Sequence, residues 1–323
     1  MRFQTLFKYR KNMMALAILL ILCYHTKGAW PETVLKKAAG FFYGGVDIFF
    51  FASGIGCFFS YSRDRDPVGF LRRRSERILP VYLPFILVWI LVQARGGGIG
   101  FSAALANLFG VQGFMAVTPA FNWYVSGMWL SYLLTPWLAP LAEKCGTRLK
   151  AAAAVLALLL FSAAFWGDNE LIIIAARLPI FFVGMLFAAE SGRREALTKA
   201  ETALLLGLMP VGAAIIWESP KYFPDLIWSH GIAWYPMLLI VPGACILTAA
   251  VSQWLERRRL GRAVNRALGF LGGLTFEIYL THFWALEKPL PLFLPLTALC
   301  TALLVGVSRW ARKRVCPGEE KRV

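Results

Sequence analysis

Charge is what this chain has least of. Only 16% of its 323 residues are Asp, Glu, Lys or Arg, against about 25% in soluble domains. That shortage excludes an ordinary water-soluble globule. Acid is scarcer than base, 18 Asp and Glu against 34 Lys and Arg, for a formal net charge of +16. Such a balance can serve nucleic acid. Here the basic residues stand between apolar runs, so they predict loops facing anionic lipid and no nucleic-acid partner. Histidine occurs three times and cysteine six times, with no CxxC pair. This excludes a disulfide framework and a zinc-ribbon type of metal site, and no metal is expected. The run Gly96-Gly97-Gly98 follows no strand, so it is not a phosphate loop.

What the chain has is apolar surface: 58% hydrophobic residues, 15% aromatics and a mean hydropathy of +0.59. It predicts an all-α, polytopic membrane protein. Taking about 20 apolar residues per span, ten segments qualify: 12–28, 44–62, 78–94, 121–142, 149–166, 171–189, 203–217, 228–254, 268–286 and 290–308. The segment 203–217 is the weakest, being short with Pro210 inside. The segment 95–120 is expected as an outer loop or a surface-lying helix. No small-residue cleavage site follows Tyr24-His25-Thr26-Lys27, so the first apolar run is expected to be a retained helix.

The distribution of base supports ten spans with both termini cytoplasmic. Lys27, Lys36, Lys37, Arg95, Lys221 and Lys288 fall outside and Arg177 falls within a span; every other Lys and Arg falls on the inner side. Adding or removing one span would swap the side of every later loop. The chain is expected as one transmembrane domain over 1–323, multi-pass in a cell membrane, read here as the bacterial cytoplasmic membrane.

Five ionisable groups then lie in the middle-to-outer half of the membrane. At about 1.5 Å per residue, His25 stands about 20 Å up a core of about 30 Å. His282 enters from the same side and reaches nearly the same height. Asp47 enters from outside and lies a few residues deep, Arg177 about 9 Å down. Glu277 precedes His282 by five residues. Charges at such depth face a bundle interior or a wet cavity and pair with one another, and histidine suits proton transfer near neutrality. At the inner face, Arg72-Arg73-Arg74-Ser75-Glu76-Arg77 opens the third span. Arg74 and Arg77 share a helix face, and Arg is suited to bidentate phosphate contact. An ordinary positive anchor is the plainer alternative.

These pieces together resemble the membrane-bound acyltransferase-3 family. The first helix ends in Cys23-Tyr24-His25. The stretch from Gly44-Gly45-Val46-Asp47 to Gly54 looks like the family's most recognisable motif. Arg73-Arg74-Ser75-Glu76-Arg77-Ile78-Leu79-Pro80 resembles its Arg-x-x-Arg and Arg-Ile-Leu-Pro signature. Asn122-Trp123-Tyr124 with Thr135-Pro136, the run Ala176-Arg177-Leu178-Pro179, and the run from Thr275 through Glu277 to His282 fit later helices. The resemblance implies ten helices, an acyl-CoA donor (acetyl-CoA) reached from the cytoplasm, and a glycan or lipid-linked acceptor modified outside. Membrane lipids are the other partners, and no cofactor is held permanently. Many members carry an appended extracytoplasmic hydrolase-like domain; this chain is expected to work without one. Where the family often has an Arg eleven residues before the His, this chain has Met14, with Arg10 and Lys11 one turn earlier.

The resemblance makes His25 the general base on the acceptor hydroxyl, or a transient acyl carrier. Asp47 or Glu277 would orient it, and His282 and Arg177 would stabilise developing oxyanion charge or position the acceptor. Arg74 and Arg77, with Arg73 beside them, would hold the donor. Asn122, Trp123 and Tyr124 would line the outer mouth or form part of an aromatic belt. A transporter or flippase of a lipid-linked or small polar substrate is the alternative from another class. It would show inverted repeats, and the motifs of the first half do not recur in the second. A family-like scaffold without catalysis is a third reading, with Met14 as its hint.

Overall fold

The computed structural model describes residues 1–115, 117–119, 121, 123–286 and 288–315, so Asn122 lies outside the described residues. It is all-helical, with no strand among those residues. The helices are α1 (Phe3–Lys8), α2 (Arg10–Thr26), α3 (Val34–Ala39), α4 (Gly45–Ser62), α5 (Pro67–Arg95), α6 (Phe101–Phe109), α7 (Trp123–Lys144), α8 (Arg148–Ala163), α9 (Asn169–Ala175), α10 (Leu178–Glu190), α11 (Lys199–Tyr222), α12 (Met237–Glu256), α13 (Arg259–Gly273), α14 (Thr275–Thr281) and α15 (Leu290–Val315). Among the described residues, seven helices or helix pairs are long and apolar enough to cross a membrane. Leu87, Val88 and Leu91 of α5, Leu156 and Leu160 of α8, and Leu299 and Leu303 of α15 lie exposed, as lipid requires and water does not.

Several boundaries differ from the apolar runs for identifiable reasons. Helix α5 starts eleven residues before the expected 78, because Asp66 accepts from the amides of Val68 and Gly69 and Pro67 occupies the first turn. The expected span 171–189 is two helices: Pro179 has no N–H, and the chain restarts at Leu178 with Arg177 at the break. The expected 228–254 becomes helical only at Met237. The expected 268–286 is three pieces, α13, α14 and a 3₁₀ turn His282–Ala285. The weakest candidate, 203–217, lies inside the 24-residue helix α11. There Thr198 and Glu201 form a reciprocal capping box. Thr198→Ala should cost about 1 kcal/mol, readable as a small fall in thermal midpoint without loss of assembly.

One end of the bundle is basic and laced together. Arg65 pairs with Glu143 at 2.8 Å, and Arg193 donates to the Cys145 carbonyl at 3.0 Å. Arg148 and Arg194 both reach Glu201, at 2.8 and 2.6 Å. Phe3 and Leu197 exchange backbone bonds with Glu195 and Met1, and Tyr9 donates to Glu256. The loops after α4, α7, α10 and α12 therefore meet the N-terminus at this end. At the far end Tyr43 donates to the Ala233 carbonyl at 2.7 Å, and Gly167 bonds Ser229. The segment expected as a surface helix holds α6, pinned by buried Asn107: its amide donates to Ala103 and Pro119, and its carbonyl oxygen accepts from Phe121.

At the centre, α4 crosses α10 backbone to backbone. A Cβ on Gly54 would lie 2.0 Å from the Phe181 carbonyl oxygen, and one on Gly184 would lie 2.1 Å from that of Phe51. Of the closely spaced Ala52, Ser53 and Gly54, Gly54 thus serves tight packing. Gly45 meets the Ala17 carbonyl of α2 in the same manner. These contacts hold the motif of α4 between α2 and α10.

Candidate active site

Helix α2 carries His25 in its last turn, and the 3₁₀ turn after α14 opens on His282. The two histidines, expected at one height, stand side by side with ring centroids 5.0 Å apart. His25 is half-buried, with Tyr24 at 5.1 Å and Phe283 at 5.8 Å. His282 is fully buried. Its Nδ1 faces the Ile278 carbonyl at 3.3 Å. A carbonyl only accepts, so Nδ1 is the donor and Nε2 carries the lone pair. That Nε2 has no hydrogen-bond partner among the described residues. Tyr279 lies 5.5 Å from the His282 ring and 4.6 Å from Tyr124, joining the pair to α7.

Asp47 and Arg177 form the second pair, Nε to Oδ1 at 3.4 Å, with both side chains buried. The Arg177 guanidinium lies between Trp123 and Trp234, 5.1 and 4.8 Å from their centroids. Asp47 Oδ2 and Arg177 Nη1 have no hydrogen-bond partner among the described residues. Tyr24 and Tyr43, 5.8 Å apart, stand between the two pairs, and Tyr43 is within electrostatic reach of both Asp47 and Arg177. The ring beside His25 is thus His282, while Asp47 is engaged with Arg177. Glu277 is buried on α14.

At the basic end, Arg74 Nη2 donates to the Gly56 carbonyl at 2.8 Å, and its guanidinium lies over Phe70 and Tyr132. Arg77 is exposed. Arg73 points away to Asp64, 2.7 Å, and its guanidinium holds the Asp64 carboxyl below the usual carboxylate range. Arg10 lies within electrostatic reach of Arg74 and Arg77, one helical turn below Met14. Trp234 and Gly56 were not marked by any sequence signal, because their roles come from contacts between distant segments.

The bundle thus defines a helical membrane protein with a histidine pair toward one end and a guanidinium cluster at the other. The acyltransferase-3 family model, an acyltransferase domain, matches residues 12–309, and the chain belongs to that family of acyltransferases. No curated protein and no solved structure matches the chain.

Proposed function

We propose that the protein moves an acyl group, acetyl in the simplest case, from cytoplasmic acyl-CoA to a hydroxyl of a glycan or lipid-linked acceptor on the outer side. The observation that carries this reading is the His25–His282 pair, set against the Arg74 and Arg77 cluster at the opposite end. Along α2 the two centres are about 22 Å apart, from fifteen residues of helix. A compact acyl phosphate does not bridge that interval. A nucleotide carrier with a long arm does, with phosphate at the arginines and thioester at the histidines.

In this reading the acceptor hydroxyl gives its proton to His25 as its oxygen attacks the thioester carbonyl carbon. The tetrahedral intermediate collapses, the carbon–sulfur bond breaks, and the departing thiolate takes the proton back. His282, whose tautomer is fixed by the Ile278 carbonyl, offers its free Nε2 lone pair to the imidazolium that His25 becomes on taking the proton. The Asp47–Arg177 pair holds α4, α7 and the loop before α12 around the acceptor end. Ten spans in one domain, with both termini cytoplasmic, complete the proposal. The ties among the basic loops support it.

Arg77→Ala should raise the apparent donor KM by tenfold or more, as loss of a charged hydrogen bond implies, with kcat much less affected. Initial-rate kinetics against acetyl-CoA tests this, and an unchanged KM would return Arg77 to the role of a lipid anchor.

A further inference from the structure

The basic end holds more uncompensated charge than the Arg-x-x-Arg pair explains. An open cavity of about 330 Å³ lies between α1–α2 and α4, lined by Arg10, Gly56, Ser60 and Arg63 with Phe7 and Phe59 at its wall. A Cβ on Gly56 would stand 2.3 Å from Arg10 Nη1, and the Gly56 carbonyl accepts from Arg74. Gly56 therefore lets two guanidinium groups close around one turn of α4. Neither Arg10 nor Arg74 has a carboxylate partner among the described residues, and Arg74 Nε is buried without a hydrogen-bond partner. Arg63 makes no hydrogen bond or ion pair among those residues. Like charges brought together at a membrane boundary without acid are costly unless an anion joins them.

We propose that this cavity seats a phosphate monoester of the donor nucleotide, bound by Arg10 and Arg63, with Ser60 as a hydroxyl donor and Gly56 as the residue that keeps the seat open. The proposal rests on the acyl-CoA reading above and adds a subsite beside Arg74 and Arg77. A monoester is the fitting group because it carries close to two negative charges and three acceptor oxygens, enough for several guanidinium donors at once. A diester phosphate offers one charge. The expected consequence is selectivity: a donor lacking the monoester loses this seat while keeping its diphosphate and thiol arm.

The test is equilibrium binding of labelled CoA and of dephospho-CoA to the purified full chain in detergent free of anionic lipid. The wild-type protein should bind CoA about tenfold more tightly than dephospho-CoA. Arg63→Ala should remove most of that preference while leaving the affinity for dephospho-CoA unchanged, and Arg63→Lys should keep part of it. Equal affinities in the wild type, or a preference that survives Arg63→Ala, would overturn the proposal. Competition by phosphatidylglycerol that is lost in Arg63→Ala would overturn it in favour of a lipid headgroup. No CoA binding to the wild type at all would instead sink the acyl-CoA reading, and this subsite with it.

Discussion

His25→Ala should lower the rate of acyl transfer by at least about 10² to 10⁴, the usual contribution of a positioned base, while the protein still folds and inserts. Both halves follow from the geometry. His25 is half-buried and makes no hydrogen bond among the described residues, so its loss orphans no partner. It stands about 22 Å along α2 from the donor arginines, so the donor KM should hold. The loss should appear in kcat and in kcat/KM equally, the mark of an interaction made in the transition state. His282→Ala is a harsher change, because it strips the Ile278 carbonyl of its donor. Elution as a monodisperse peak with activity abolished is the expected outcome for His25→Ala. Activity retained within threefold would remove His25 from the chemistry.

Gly54→Leu should prevent assembly of the bundle. The built Cβ positions show why: 2.0 Å from Gly54 to the Phe181 carbonyl oxygen, and 2.1 Å from Gly184 to that of Phe51. Neither obstacle is a side chain that can swing away; both are backbone atoms of the opposing helix. Inserted methylenes in a packed core cost about 1–3 kcal/mol each site. A leucine here must part α4 from α10 and so exceed that range. Even Gly54→Ala and Gly184→Ala should each lower the thermal midpoint. Their double variant should cost less than the sum of the two, since one separation of the helices relieves both clashes. Fluorescence-detected size exclusion after heating measures this; an unchanged midpoint in Gly54→Ala would contradict the close crossing.

Much of the framework was legible from residue order because lipid imposes simple rules. Apolar run length marks the long helices, and Arg65, Arg148 and Arg194, from separate basic loops, pair with acids at one end of the bundle. Counting residues along helices also brought His25 and His282 to one height. Other features depend on local backbone chemistry. Pro179 splits an apolar run that hydropathy reads as continuous, placing Arg177 at a break instead of along a helix. Pro210 has the opposite lesson: it weakened the expected span, yet α11 runs through it, as proline is tolerated in membrane helices. The aromatic partner of Arg177 and the glycine beside Arg10 were out of reach for a third reason. Trp234 reaches Arg177 from a loop, and Gly56 meets Arg10 across two helices. Contacts of that kind have no periodicity in the chain.

The central claim is transfer across the membrane between two separated centres. Proteoliposomes of known orientation test it directly. Labelled acetyl-CoA is supplied only on the side of Arg74 and Arg77, and cell-envelope polysaccharide is enclosed on the other. The account predicts label on the enclosed polysaccharide as an alkali-labile ester, in the wild type and not in His25→Ala. Label recovered inside as intact donor, or ester formed only on polysaccharide sharing the donor's side, would contradict it.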